Sequence, residues 1–549
     1  MSDPLLKLRD EVDAAAASLR DGEGGQDAPS LERPPKAELG DYSTNAAMLL
    51  APLRGEAPRE VAERLREELD GRLGSTAERI EVAGPGFLNL FLADRWYREG
   101  VAAVLGAGDR FGAGVVAAPE RALVEFVSAN PTGPLTAAGG RHAAYGDSVA
   151  RILATAGHEV EREYYVNDVG AQVRKFAESI AARMRGDEVP EEGYEGEYVE
   201  ALARELADAG ADPADLEAVE RLGVERMREA VAATLERFGV GFDSWYSERS
   251  LYEAGKVEAA MDELRRRGHT YESEGAVWLR TTEFGDDKDR VLVRSDGEPT
   301  YFVADLAYHR GKLERGFERL IDVLGADHHG YVGRMRAALE ALGADPDSLE
   351  ALIMQLVHVV EGGERAQMSK RRGEFVTLDE LIDDIGADAA RFLMLQRSHD
   401  TTVDLDLDLA RRQSQDNPVY YVQYAHARIA SILRKAGDGA VDAALGSLDS
   451  TLAAPVEPSE RALVKRLLEL PGDVSTAAQL CAPHRLCAYA TATAADFHAF
   501  YRDCKVVGAE SEGGSAPGTE AGRLALCVAT KRVIARTLEL LGVGAPERM

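Results

Sequence analysis

Apolar positions change their period along the 549-residue chain, and the changes divide it into segments. Leu5, Leu8, Val12 and Ala15/Ala16 recur at helical spacing and predict a helix over residues 1–20. A loop rich in Gly, Pro, Asp and Glu follows at about 21–36, then a helix at 58–71. The stretch Ile80-Glu81-Val82-Ala83 reads as a strand and runs into Gly84-Pro85-Gly86-Phe87-Leu88-Asn89-Leu90. Residues 1–112 thus form a small α/β domain.

From Arg121 strands alternate with helices. Leu123 to Val127 and Val160 to Val166 are apolar strands; Arg141 to Ala156 and Gly170 to Met184 are helices. The alternation resumes with a helix at 301–315, a strand over Leu320 to Leu324, a helix at 330–342 and a strand from Ile353 to Val360. Such alternation argues for a parallel sheet. The expected fold class is α/β: a split Rossmann-like catalytic domain over 113–400, with an acidic, helix-rich insertion at about 185–295. After residue 401 no strand pattern survives, and 401–549 reads as an all-α helical bundle.

Charge sharpens this division. The formal net charge is −31, and only 11 of the 64 basic residues are lysine. An acidic, lysine-poor surface fits a protein working in concentrated salt, where self-repulsion is screened. Residues 401–549 carry 16 basic and 18 acidic side chains, so a C-terminal module spared the acid bias can approach a polyanion. All four cysteines, Cys481, Cys487, Cys504 and Cys527, lie there at spacings matching no zinc or redox pattern. No apolar run reaches the ~18–20 residues of a membrane span, and Met1-Ser2-Asp3-Pro4 lacks the order of a signal peptide, which predicts a cytoplasmic protein with no membrane partner.

Candidate chemistry sits at the ends of the α/β elements. Glu125 and Asn130 flank the end of the first strand, the edge where doubly wound sheets bind ligands. Tyr301 and Asp305, four apart, share a helical face. Asp327, His328 and His329 form a turn between strand and helix; lacking a third nitrogen or sulfur ligand at a sensible spacing, it is not expected to be a metal site. Gln367-Met368-Ser369-Lys370-Arg371-Arg372-Gly373 is a basic turn able to neutralise phosphate charge.

Taken in order, these stretches resemble the class I aminoacyl-tRNA synthetases, and the arginyl-tRNA synthetases among them. The resemblance is carried by Val124 to Leu135, Tyr164 to Gly170, Tyr301 to His309, Gly325 to Gly330, Met368-Ser369-Lys370, Asn417 to Arg428, and the N-terminal Gly40-Asp41-Tyr42-Ser43 and Gly84-Pro85-Gly86-Phe87. It implies ligation of arginine to tRNA(Arg) through an arginyl-adenylate, with ATP accompanied by Mg²⁺, by a protein that is monomeric. It implies arginine contacts from Glu125, Asn130, Tyr301 and Asp305. It implies ATP contacts from Pro131, Gly139, Gly325, Asp327, His328, Met368, Ser369 and the catalytic Lys370, and tRNA contacts from Tyr420, Tyr424 and Arg428.

One departure stands out. Class I enzymes carry His-x-Gly-His after the first strand; here the four residues are Thr136-Ala137-Ala138-Gly139. The amides of the following helix, Thr136, His142 or Arg141 are expected to replace the missing donors, with Thr136 and His142 the catalytic candidates. The alternative is a catalytically impaired relative that binds tRNA or arginine.

Overall fold

The computed structural model describes residues 3–20, 29–328, 330–365, 376–446, 455–510 and 516–549. Near the N-terminus, β1 (Tyr42–Thr44), β2 (Ala77–Ala83) and β3 (Phe87–Leu92) make an antiparallel sheet in the order β1-β3-β2. The helices Pro4–Ser18 and Pro58–Leu73 pack with it, their apolar stripes buried.

The central sheet is parallel. It is built from β4 (Arg121–Glu125), β5 (Glu159–Val166), β6 (Ser244–Ser247), β10 (Arg319–Gly325) and β11 (Leu349–Met354), in the order β11-β10-β4-β5-β6. Two elements depart from the sequence expectation. The stretch 185–295 is not one excursion: after the helices Glu197–Asp208 and Leu216–Arg237 the chain returns to the sheet as β6, then leaves again for the antiparallel β7 (Thr270–Ser273), β8 (Ala276–Leu279) and β9 (Arg290–Val293). β6 is a half-buried edge strand of four residues, too short to show a period. The strand read over Ile353 to Val360 is two strands in different sheets. Gln355 N–H donates to the His399 carbonyl (2.8 Å), breaking the ladder between β11 and β12 (Val357–Glu361), and β12 pairs with β13 (Glu364–Arg365) and β14 (Val403–Asp406).

The Ala137–Ala156 helix runs through the centre and is buried along nearly its whole length. Its small residues are a packing requirement. A Cβ on Gly146 would lie 2.2 Å from Phe126 Cγ, and one on Gly140 would lie 2.7 Å from Leu378 Cδ1. Its far side meets the C-terminal bundle, whose main helices are Pro418–Ala436, Pro458–Leu468, His484–Asp503 and Thr519–Leu540. Tyr145 donates to the Cys481 carbonyl (2.9 Å) and Ser148 to the Leu540 carbonyl (2.8 Å).

Arg391 secures this junction. Its buried guanidinium donates to Asp147 Oδ2 (2.5 Å), to the Leu541 carbonyl (3.1 Å) and to the Phe238 carbonyl (3.1 Å). The N-terminal part touches the same bundle through Asp41–Lys465 (2.9 Å), Asp94–Arg461 (2.6 Å) and Arg33–Glu469 (3.2 Å). Arg391→Met strands two carbonyls and weakens the pairing of a buried carboxylate, so it should lower unfolding free energy by about 3–5 kcal/mol in urea titrations. Arg411→Met, at an exposed pair with Asp384 and Glu361, should leave the denaturation midpoint where it is.

Candidate active site

The site lies at the C-terminal edge of β4, β5 and β10, where the sheet order puts β4 between its neighbours. Glu125, Glu163 and Asp322 occupy matching register positions on the three strands and form a row of carboxylates. The Tyr301–Glu314 helix and the residue after it cover the row. Lys312 Nζ reaches Glu125 Oε2 at 2.6 Å and Asp322 Oδ1 at 2.8 Å, with its side chain fully buried. His309 Nε2 meets Asp322 Oδ2 at 2.6 Å, and Tyr308 donates to Glu163 at 2.7 Å. Arg315 grips Glu163 with two nitrogens at 2.6 and 2.8 Å. Lys312 and His309 hold Asp322 well below the usual carboxylate range against the opposing cost of burial.

Further up the same helix the balance reverses. Asp305 is half-buried and has no salt-bridge partner among the described residues; burial first, and then the nearby Glu125, push its pKa up to about 6, against the charge of His309 and a hydrogen bond from Tyr331. Glu248, at the start of the Arg249–Glu253 helix, is 2 % exposed; burial, then the charges of Asp305 and Asp168, push it up to about 7. With its amide turned to donate, Asn167 reaches Glu248 Oε2 at 2.7 Å. Tyr165 and Tyr308 pack at 4.5 Å and Tyr246 and Tyr308 at 4.9 Å, giving the pocket an aromatic wall. Tyr301 is exposed at its mouth, its hydroxyl against Gly170, where a Cβ would lie 3.0 Å away. Two poorly compensated carboxylates in an aromatic pocket form a receptor for a planar cation.

Glu125 lies below this pocket with both oxygens engaged, one by Lys312 and one by the Ser128 hydroxyl (2.9 Å). Asn130 is exposed, its amide donating to Gln172 Oε1 (2.6 Å). Pro131 is buried beside it. Glu248 is the residue that sequence reasoning missed: one acid among 95, in an acid-rich stretch, it differs from its neighbours only in being buried.

A second cluster is built from the Ala137–Ala156 helix and the turn after β10. Gly325 permits close approach there, since a Cβ would meet Asp327 Oδ1 at 2.7 Å and His142 Cε1 at 4.0 Å. Asp327 is exposed and pairs with His328 Nδ1 at 3.1 Å. His142 therefore faces this turn. Burial, then the charge of Arg141, lowers its pKa to about 4, so at neutral pH it is a neutral imidazole with one N–H to give.

Arg141 points away. It is fully buried and donates to the Gln355 (2.7 Å) and Ser398 (2.8 Å) carbonyls, which removes it as a replacement phosphate donor. The amides of the helix N-terminus are mostly taken as well. Ala137 N–H donates to the Val376 carbonyl (3.1 Å), Gly139 N–H to Thr136 Oγ1 (3.3 Å) and Gly140 N–H to the Thr136 carbonyl (2.9 Å). Thr136 is thus an N-cap acceptor, and among the described residues its hydroxyl donates no hydrogen bond. Met368, Ser369 and Lys370 lie outside the described residues. The segment just after them is tied to the signature turn by the Val376 bond and by Leu378 N–H to the Leu135 carbonyl (2.8 Å).

On the bundle, Tyr420 and Tyr424 stack at 5.9 Å, and Arg428 lies over Tyr424 and Tyr501 at 4.6 and 5.0 Å. The Tyr420, Tyr424 and Arg428 side chains are half-buried and Tyr501 is 41 % exposed, which leaves ring faces and a cation at the surface.

Comparison with known proteins places three family models along the chain. They are the arginyl tRNA synthetase N-terminal domain over 6–92, the class I (R) tRNA synthetase catalytic domain over 210–427, and the DALR anticodon binding domain over 422–549. The chain is 44% identical over 531 residues to an arginine–tRNA ligase of Carboxydothermus hydrogenoformans, covering 94% of each, and 46% identical over 549 residues to one of Frankia alni, covering 98% of each. It superposes on Thermus thermophilus arginyl-tRNA synthetase with a TM-score of 0.76 at 26% identity, covering 100% of both chains.

The raised carboxyls make cation binding pH-dependent. A bound guanidinium favours their ionised forms, so binding must release protons below about pH 7. Affinity for a guanidinium ligand should rise as pH climbs through 6 to 7 and level off above it. Calorimetry in buffers of different ionisation enthalpy should detect the released protons; an affinity constant from pH 5.5 to 8 would refute the assignment.

Proposed function

Given that the chain belongs to the class I arginyl-tRNA synthetases, we infer that it ligates arginine to tRNA in an ATP-dependent reaction, and that the Asp305–Glu248 pocket receives the arginine guanidinium. The observation that carries the pocket assignment is a buried Glu248 and a half-buried Asp305, both with raised carboxyls, beside a tyrosine wall. The arginine carboxylate attacks the ATP α-phosphate and pyrophosphate leaves; the arginyl group then passes to the terminal ribose of the tRNA. ATP enters as its Mg²⁺ complex, with the adenosine end against Gly325, Asp327 and His328. His142 offers a neutral N–H to the phosphates, Thr136 a hydroxyl, and Lys370 a positive charge as pyrophosphate forms. Asn130 holds the arginine backbone, while Glu125 acts from beneath through its ion pair. The two relatives compared above are both arginine–tRNA ligases, which supports the catalytic reading over a non-catalytic binder.

The Tyr420–Tyr424–Arg428 surface suits splayed anticodon bases, which stack on aromatic rings and guanidinium planes. On this reading residues 1–112 contact tRNA, 113–400 hold the chemistry and 401–549 bind the anticodon. The protein works as a cytoplasmic monomer. Among the described residues no helix is long and apolar enough to cross a membrane.

Asp305→Asn removes charge and keeps shape. It should raise the arginine KM by about 30-fold or more, equivalent to at least ~2 kcal/mol, in tRNA-supplemented ATP–pyrophosphate exchange; an increase below threefold would sink the role. His142→Ala should lower kcat and kcat/KM together by roughly tenfold or more, leaving the ATP KM unchanged. Intact specific activity of the folded fraction would mark His142 as a packing residue.

A further inference from the structure

We propose that Lys312 is a positioning residue that holds the two walls of the arginine pocket in register without touching the substrate. The inference rests on reading the pocket as the arginine site.

Lys312 stands at a branch point. One branch runs to β4 and beyond. Its ammonium fixes Glu125 Oε2 (2.6 Å), the other oxygen of Glu125 accepts the Ser128 hydroxyl (2.9 Å), and Ser128 Oγ accepts Tyr165 N–H (3.1 Å). These contacts clamp an unusual turn. Val127 has φ 68° and Ser128 φ 39°, left-handed conformations that are rare outside glycine and costly for a β-branched valine. The turn swings the chain off the strand and delivers Asn130 to the pocket mouth. The Ser128 N–H bond to the Phe126 carbonyl (2.9 Å) closes this turn locally, and the Ser128 side chain ties it to Glu125 and to Tyr165 N–H.

The second branch runs to the opposite wall. Lys312 donates to Asp322 Oδ1 (2.8 Å), and His309 connects Asp322 Oδ2 (2.6 Å) to the backbone carbonyl of Asp305 (2.7 Å). The Tyr308 ring lies 4.4 Å from the ammonium and closes the remaining side. One buried cation therefore governs both the turn that presents Asn130 and the helical segment that presents Asp305. Apolar packing can often replace a buried ion pair that only stabilises. Here the bonds continue from the pair to the two substrate-facing walls.

The test uses Ser128→Ala, Lys312→Met and the double variant, with arginine KM, ATP KM and melting temperature measured for each. Ser128→Ala and Lys312→Met should each raise the arginine KM by about tenfold or more while the ATP KM stays within about twofold, a split that general destabilisation does not produce. The double variant should be no worse than Lys312→Met alone, because both act along one chain of contacts. An arginine KM within about twofold of wild type in Ser128→Ala, or effects that multiply in the double variant, would overturn the proposal. Should Lys312→Met fail to fold, Ser128→Ala carries the test alone, since that change removes no buried charge. Asp305→Asn in parallel separates the two readings: an unaltered arginine KM there, with a raised one in Ser128→Ala, faults the pocket assignment and leaves the coupling standing.

Discussion

Three carboxylates side by side on adjacent strands of a buried sheet cannot remain ionised without cations, and the supply of those cations organises the centre of this protein. Glu125, Glu163 and Asp322 meet Lys312, His309, Tyr308 and Arg315 from a single helical segment. Residues 301, 305, 308, 312 and 315 form one stripe at helical spacing. The far end of the stripe docks the helix and the near end presents Tyr301 and Asp305. Docking and recognition are therefore one geometric problem. The helix cannot rotate to admit another side chain without breaking the ion pairs beneath it.

The central helix answers a different constraint. It must pass between Phe126 and the C-terminal bundle, so glycine stands at its tightest contacts, Gly146 against Phe126 and Gly140 against Leu378. Its N-terminus is stitched to residues 376–378, leaving few amides for a phosphate. Loss of the two signature histidines thus falls on a site where backbone help is limited. His142, which burial keeps neutral, faces the Gly325 turn beside it.

What could be read in the sequence followed from periodicity and from residue scarcity. The helix at 301–315 and the strand at 320–324 were plain, because a buried element imposes its period on several residues at once. β6 was not, since a four-residue edge strand leaves no period. The break at Gln355 depends on His399 and Arg141, partners far away in the chain. Tyr301 and Asp305 carried a local signal through their spacing, whereas Glu248 had none. Lys312 had little more: it is one of 11 lysines, and only burial between Glu125 and Asp322 sets it apart.

The contacts of Asp41, Asp94 and Arg33 with the helices that carry Lys465, Arg461 and Glu469 close the molecule into a ring. The first hundred residues meet the last hundred, and the last hundred meet the central helix. In a linear array a terminal unit detaches by breaking one interface. In a ring each unit is held on two sides, so local opening is suppressed and the chain tends to unfold as a whole. A polyanion lying across both ends would then meet a frame of fixed span, with little room for the two contact surfaces to drift apart.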